Sequence, residues 1–580
     1  MEESVLFVLN TVLNDRFPGA AHRCDAEKLL HSICRSQSPA STREGVKPGQ
    51  SCLLCLKQLP KRRLPPINEP IGRIAMKLRN TLLVICLVLA ASSIACAQGT
   101  YPIYGIHFYS DDAAASIQNG KGMWTVEMLY TTDVHNWTTE RAKLQNIKNH
   151  NFRIILRVDW RWDSCVPPTN DWGNRWQFAQ DCKTIATQLG DLCECMIIGN
   201  ELRDGDAITS DWYTKCFNAH DGNCVYQQVK IARPSLKVGI YAPGGWPGTE
   251  NLNYWQYVVD HVYKDGNNKP QIDCFPLHGY SGETTLTNIN AEDPRYGDEL
   301  DFKGFVPYMR RIYSTFGASK PVYITETNTY WYFGPWDTNP RYSQDSYRSA
   351  WIKEAYQAID EWDRSNDLKI YALCWYCYQY QCQQGCDQYE NSLVRRDDNE
   401  MNIARGDYSW VTQYTNVTAG TPGTTLRFQA ESYSNSDVTS GRGNANGIEG
   451  TDYHDTTTGN SGGVVRGENV DVGVTPDYSV VFVGWTAATE WLRFESLFGG
   501  YNYKIKARFA RGVSGSSTVR WQVDGVTKGT LYLDDPDDNW NTYSDSALTS
   551  SFNIPAGDHI IKMIFDTGNV NIDYFEFVKQ

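Results

Sequence analysis

Two apolar runs in this sequence stop at a glutamate. Met196-Ile197-Ile198-Gly199-Asn200-Glu201 and Val322-Tyr323-Ile324-Thr325-Glu326 each read as a short β-strand that turns polar at its last residues. A carboxylic acid able to protonate a leaving oxygen, set about 5–5.5 Å from a carboxylate able to attack the carbon it leaves, is what glycoside hydrolysis with retention requires. A glutamate after an apolar strand is also favoured by the dipole of a following helix, so neither run decides anything alone. Further strand ends carry groups suited to a sugar: Arg157, His278 and Tyr280, and Trp375. Asp159 and Glu127 are reserve carboxylates, suited to substrate hydrogen bonds or to structural pairing.

The elements that must position these groups follow from hydrophobic patterning. Eight β-like runs are spaced between Gly99 and Thr415: Ile103–Tyr109, Met123–Tyr130, Phe152–Val158, Glu194–Gly199, Lys237–Ala242, Ile272–His278, Pro321–Thr325 and Lys369–Tyr376. Between them, stretches such as Asn174–Leu189, Asn253–Tyr263, Phe302–Phe316 and Gln344–Trp362 repeat apolar residues at helical spacing. Strands alternating with helices over this length predict an α/β fold, a (β/α)8 TIM barrel, with chemistry at the C-terminal strand ends. Strands four and seven face each other across the mouth of such a barrel, which brings Glu201 and Glu326 within reach of one another. The loop aromatics Trp160-Arg161-Trp162, Trp172, Trp246, Trp331-Tyr332-Phe333 and Trp336 are expected to include sugar-stacking subsites.

Helical periodicity ends near Thr415. A linker rich in Thr, Gly and Pro is expected at residues 416–426, and after it short alternating runs (Tyr478–Val483, Glu490–Phe494, Tyr501–Phe509, Thr518–Val523, His559–Ile564, Ile572–Val578) predict an all-β sandwich at 427–580. At the other end, Met76-Lys77-Leu78-Arg79-Asn80, the apolar run Leu82–Ala91 and Ala95-Cys96-Ala97 have the three-part form of a secretory signal over 76–97, too short for a membrane span. The barrel is thus expected at 98–415, and residues 1–75 read as a doubtful extension upstream of the true start. Secretion, or a periplasmic or cell-surface location, is the corresponding expectation. Eleven of the 17 cysteines lie between Cys165 and Cys386, an odd number, so disulfides and at least one free thiol are expected. Zinc at Cys374, Cys377, Cys382 and Cys386 is the weaker alternative, because no His pairing or second CxxC accompanies them.

A net charge of -13 without a visible basic patch argues against nucleic acid, and an aromatic share of 13% with 19 Trp and 35 Tyr suits a neutral polymer. Residues 101–414 resemble a clan A glycoside hydrolase, on the Asn200-Glu201 and Glu326 strand ends. The resemblance implies Glu201 as general acid/base, Glu326 as nucleophile, Asn200 on the sugar 2-hydroxyl, Tyr280 and His278 beside the carboxylates and Trp375 as a stacking floor. Arg157 would pair with the nucleophile, although that superfamily usually carries its arginine on strand two.

From Arg427 to Gln580 the chain is similar to a family 6 carbohydrate-binding module, a jelly-roll sandwich. The stretches that carry the likeness are Phe428-Gln429-Ala430-Glu431, Gly450-Thr451-Asp452-Tyr453-His454-Asp455-Thr456, Gly462-Gly463, Glu490-Trp491-Leu492-Arg493-Phe494, Gly500-Tyr501, Trp540-Asn541-Thr542-Tyr543 and Asn571-Ile572-Asp573-Tyr574. It implies a sugar clamped by Tyr453 and Trp540 over Asn571, and a structural Ca²⁺ on Gln429, Glu431 and Asp573. No cofactor is expected for catalysis. The expected activity is that of a monomeric retaining endo-β-glycosidase on a polysaccharide, a β-glucan and specifically a β-1,3-linked one being favoured over agar, xylan and mannan. A catalytically dead glycan-binding protein and a transglycosylase are the competing readings.

Overall fold

The computed structural model describes residues 102–580 apart from 112–116, 119, 121, 245–248, 281–301, 329–349, 377–398, 415–424, 434–446, 463–467, 478 and 535–536. The expected extension and signal, most of the expected linker, Trp246, Trp331, Tyr332, Phe333, Trp336 and Cys377, Cys382 and Cys386 lie outside the described residues.

Eight strands form the first core: β1 (Tyr104–His107), β2 (Met123–Tyr130), β3 (Phe152–Asp159), β4 (Cys193–Ile198), β5 (Lys237–Gly239), β6 (Phe275–Tyr280), β7 (Val322–Asn328) and β8 (Ile370–Trp375). All pairings are parallel, in the order β5-β4-β3-β2-β1-β8-β7-β6. A parallel bridge between Gly239 and Cys274, with Asp273 N–H donating to the Val238 carbonyl at 2.9 Å, joins β5 to β6 and closes the ring. The sheet is therefore the expected (β/α)8 barrel, its strands near-continuous apolar runs because both faces are covered.

The surrounding helices are α1 (Trp137–Asn149), α2 (Trp172–Leu189), α3 (Ser210–Asn218), α4 (Val225–Ala232), α5 (Thr249–His261), α6 (Val306–Phe316), α7 (Trp351–Ser365) and α8 (Asn399–Tyr414). Side-chain caps start α1, α2 and α3, where Asn136, Asp171 and Thr209 accept from the backbone N–H three residues on. Inside the ring, Trp124, Ile155, Cys195, Cys274, Tyr323 and Cys374 form a packed plug, so the barrel has a core and not a pore. The eight cysteines among the described residues are free thiols, Cys374 buried among them. No helix among the described residues is long and apolar enough to cross a membrane.

The C-terminal strands are β9 (Thr425–Gln429), β10 (Tyr453–His454), β11 (Val472–Val474), β12 (Val481–Val483), β13 (Trp491–Gly499), β14 (Asn502–Arg511), β15 (Ser516–Val523), β16 (Val526–Asp534), β17 (Asn539–Asp545), β18 (Phe552–Asn553), β19 (Ala556–Phe565) and β20 (Asn571–Lys579). One sheet runs β10-β13-β19-β15-β16 and the other β11-β12-β20-β14-β17, with β9 and β18 added at β20 and β14. Alternate residues (Phe494, Ile505, Val519, Trp521, Ile561, Met563, Phe575 and Phe577) fill the space between the sheets, the all-β sandwich that the alternation predicts.

The sandwich is seated on the barrel. Leu497 belongs to the barrel's core cluster, and the 366–367 turn after α7 binds its backbone: Asp367 N–H donates to the Leu497 carbonyl at 3.0 Å and Leu497 N–H to Asn366 Oδ1 at 2.9 Å. Arg310 on α6 pairs with Glu495 and, at 3.1 Å, with Asp558; Tyr313 donates to the Phe498 carbonyl, and Lys579 pairs with the buried Asp367.

Candidate active site

Glu326 lies near the end of β7, buried, with a partner on each of its sides. Arg157 Nη1 on β3 donates to Oε1 at 3.0 Å, and the Tyr280 hydroxyl at the end of β6 donates to Oε2 at 2.6 Å. His107 at the end of β1 places Nε2 at 3.4 Å from Oε1, and His278 Nε2 lies at 3.8 Å from the same atom. Burial pushes Glu326 upward, but His278, His107 and Arg157 outweigh it and hold the carboxylate well below its usual range.

Glu201 approaches from the turn after β4 and its side chain is more open, with His278 Nδ1 at 2.9 Å from Oε1. One carboxylate oxygen of Glu201, one of Glu326 and a ring nitrogen of His278 all lie within 4.8 Å of one another. His278 thus stands between the two acids. Burial lowers its pKa, yet Glu326 and Glu201 together raise it above the ordinary histidine value. Buried His107 is shifted the other way, because desolvation there exceeds the help from Glu326.

The turn that carries Glu201 has unusual backbone. Gly199 has φ +90°, and a Cβ there would come within 3.1 Å of Cys165, while Glu201 itself has φ +48°. Asn200 is held at both its backbone groups by the Cys165 thiol, which receives from N–H at 3.2 Å and donates to the carbonyl at 2.9 Å. Burial raises that thiol to about 12, so it keeps the proton it donates. Glu201 N–H donates to the Ala242 carbonyl at 2.8 Å, which fixes the turn from the β5 side.

The structure thus gathers Glu201, Glu326, Asn200, His278, Tyr280 and Arg157 at one end of the ring, with Arg157 on β3. Asp159 pairs with Arg157 at 3.2 Å, and burial raises its pKa. Glu127 is bound away from the mouth, accepting from Tyr109 N–H and pairing with Lys143 at 2.8 Å, a structural role. Trp375 departs from expectation: it ends β8 but is 1% exposed and packed against Trp351 at 5.8 Å, a core ring in place of an open floor. His107 was not anticipated, although it ends β1 at the rim where Glu326 lies near the end of β7.

In the sandwich, Asn571 opens β20, between Val483 of β12 on one side (paired with Ile572) and Ala510 of β14 on the other. The turn after β12 presents Trp485, 51% exposed and stacked on Phe482 at 5.9 Å; β17, paired to β14 through Arg511 and Asn539, presents Trp540, 36% exposed. Gly484 lets the first turn close over Asn571, since a Cβ there would meet Asn571 Oδ1 at 2.5 Å. Two open rings therefore flank a buried amide. Tyr453 is not one of them: it is 4% exposed and packs on Tyr433 in the sandwich core, so Trp485 takes the place expected for it.

The expected metal ligands lie on β9, the turn after it and β20. Gln429 is in register with Tyr574, beside Asp573, and its buried Oε1 has no hydrogen-bond partner. Burial, with Glu361 and Asp573 adding to it, raises Glu431 to about 8, and Asp573 is raised as well despite Arg508 at 2.6 Å. An unpartnered amide oxygen with two carboxyls that burial pushes toward neutrality are oxygen donors of the type that a hard cation takes.

Residues 466–577 match the sequence model of a carbohydrate binding module of family 35. No curated protein matches the chain. Among solved structures, a family 39 glycoside hydrolase from the gut symbiont Bacteroides cellulosilyticus is similar at 13% identity, over 80% of this chain and 81% of that one, with a TM-score of 0.39. The C-terminal family 6 module of a marine laminarinase from Zobellia galactanivorans is similar at 18% identity over 27% of this chain and 99% of that one, TM-score 0.19. A family 6 module from Clostridium stercorarium, solved with cellobiose, reaches 22% over 28% and 98%, TM-score 0.20.

Proposed function

We propose that the chain is a secreted retaining endo-β-glycosidase that hydrolyses a polysaccharide, a β-glucan and foremost a β-1,3-linked one. The observation that carries this reading is the approach of Glu201 and Glu326 to within 4.8 Å with His278 between them, the spacing of an acid and a nucleophile in place of the wider gap that an inverting enzyme leaves for water. Glu326, kept ionised by its cationic neighbours, attacks the anomeric carbon as Glu201 gives its proton to the departing oxygen. A covalent glycosyl ester on Glu326 results. Glu201, now a carboxylate, takes a proton from water, whose oxygen displaces Glu326 from the sugar and restores both groups. Tyr280 and Arg157 hold the two Glu326 oxygens in place through this cycle, and Asn200 is the donor offered to the sugar hydroxyl beside the reacting carbon.

The sandwich supports the same reading through Trp485, Trp540 and Asn571, a cleft for a neutral sugar whose C–H face lies on the rings. A Ca²⁺ on Gln429, Glu431 and Asp573 would supply structural charge there and no chemistry.

The test is reducing-sugar release from laminarin, other β-glucans, agar, xylan and mannan by the chain from Gln98, beside Glu201→Ala and Glu326→Ala. Release from one polymer, cut at least 100-fold by either substitution, is expected. Release that survives Glu326→Ala would refute the assignment.

A further inference from the structure

We infer that Trp162 is a sugar-stacking platform that extends the barrel's cleft beyond the cleavage point and makes the enzyme favour long chains; this rests on the glycosidase reading above. Trp162 is 72% exposed, the most open tryptophan among the described residues. It is nonetheless on rigid ground. Arg161 and Ser164 exchange backbone hydrogen bonds at 3.0 and 3.1 Å, so Trp162 and Asp163 form the tip of a tight hairpin directly after β3. Arg161 stacks its guanidinium on Trp160 at 4.5 Å and pairs with Asp163 at 2.6 Å. Trp160 bonds to Thr132 on one side and to Cys165 on the other, at 3.1 and 2.9 Å.

The hairpin is also wired to the carboxylates. Cys165, at its base, is the residue whose thiol clasps the Asn200 backbone next to Glu201. Asp159, three residues before Trp162, bonds to the Arg157 that holds Glu326. Three residues of chain reach at most about 10 Å, so the Trp162 backbone lies within that distance of Asp159, at the same C-terminal end of β3 that carries the Arg157–Glu326 pair. Tyr130, at the end of β2, meets Trp162 edge-on with centroids 6.4 Å apart and steadies one side of the ring.

A large ring held open on a rigid turn loses little entropy when it binds, and its flat face suits the C–H face of a pyranose. A polysaccharide threading the mouth would lay one of its outer sugars on it, and a disaccharide spanning the cut would not reach.

The probe is the laminari-oligosaccharide series from disaccharide to hexasaccharide, titrated calorimetrically into the full chain carrying Glu326→Gln to stop turnover and Trp485→Ala to silence the sandwich cleft. Trp162→Ala in that background should lower affinity for the hexasaccharide about 10-fold and leave the disaccharide unchanged, and Trp162→Phe, which keeps a ring, should recover most of the loss. An equal loss at every length, or none, overturns the inference. If no laminari-oligosaccharide binds, the agaro-, xylo- and manno-series are titrated in turn. Binding of none of them overturns the inference together with the glycosidase reading, whereas tighter binding of long chains that Trp162→Ala leaves untouched overturns the inference alone.

Discussion

Replacing Arg157 with methionine isolates what the buried cation does for the two carboxylates beside it. Arg157 sits 3.0 Å from Glu326 and 3.2 Å from Asp159, both of which are buried, and is itself mostly covered, with 14% of its side chain exposed. With an effective dielectric near 20, each contact is a Coulombic attraction of about 5 kcal/mol. Methionine returns the desolvation cost of the guanidinium, so the net loss should be about 3–5 kcal/mol, the range found when one partner of a buried pair is removed. At roughly 2 °C per kcal/mol for a domain of this size, scanning calorimetry at pH 7 should find the transition about 6–10 °C lower. The pH dependence carries the sign. Arg157 pulls both carboxyls toward ionisation: it helps hold Glu326 below its ordinary range, so that part of the stability is present above that range and is lost as pH falls through the native value, whereas burial leaves Asp159 above its ordinary value even with Arg157 beside it. In the variant those groups take up protons earlier, and the gap between variant and parent should narrow as pH is lowered from 7 to 5. A variant as stable as its parent at pH 7, or a gap that widens on acidification, refutes the picture of Arg157 as the counter-charge of this site.

Other consequences can be checked separately. Trp485→Ala should lower retention on insoluble β-glucan about 10-fold, whereas Tyr453→Phe should leave retention unchanged, as pull-down of the full chain would measure. His278, whose pKa Glu326 and Glu201 raise, holds its proton to higher pH than an ordinary histidine, so His278→Gln should remove a descending limb from the pH profile of kcat. Added Ca²⁺ should raise the unfolding temperature of the chain and chelator should reverse the rise, while Glu431→Gln should abolish the response. Lys579→Met strands Asp367 in the seam between barrel and sandwich and should cost about 3–5 kcal/mol, read as a lower transition in calorimetry.

The barrel was legible because its strands are buried on both faces: Met123–Tyr130 reads as one apolar run and is one strand from end to end. Strand β7 runs three residues past the expected Thr325, to Asn328, because Thr327 and Asn328 still pair with Gly279 and Tyr280 of β6. The carboxylates were legible for the same reason, each being the polar stop of an apolar run. His107 also ends a strand, but β1 is short and a lone histidine has no partner glutamate nearby in sequence to draw attention to it. Cys165 gave no signal at all, since what it does is hydrogen-bond a backbone 35 residues away. Tyr453 was expected to be an open ring because it lies in a stretch of turn residues that looks like a loop, and it is buried. Tyr453 itself pairs with Leu492 of β13, which turns the ring inward, while Trp485 follows a strand of three residues that alternation barely marks.

The seam between the modules was illegible on other grounds, and it alters how the second module acts. Asp363, Asn366, Asp367 and Lys369 are polar residues that carry no apolar pattern, yet all four are buried, Asn366 and Asp367 against Leu497 of β13 and Lys579 of β20. Charged groups are costly to bury singly, so Lys369 bonds to the Asp363 and Asn366 carbonyls and Lys579 reaches Asp367 from the sandwich. A flexibly tethered module would raise local substrate concentration by an amount set by linker length. A module docked through shared core residue Leu497 and these pairs does not search that volume, and its cleft at Trp485 and Trp540 keeps one orientation to the barrel. Lengthening the 416–424 segment with Gly and Ser should then leave activity on insoluble glucan unchanged, whereas breaking the seam with Lys579→Met should make that activity depend on the length of the segment.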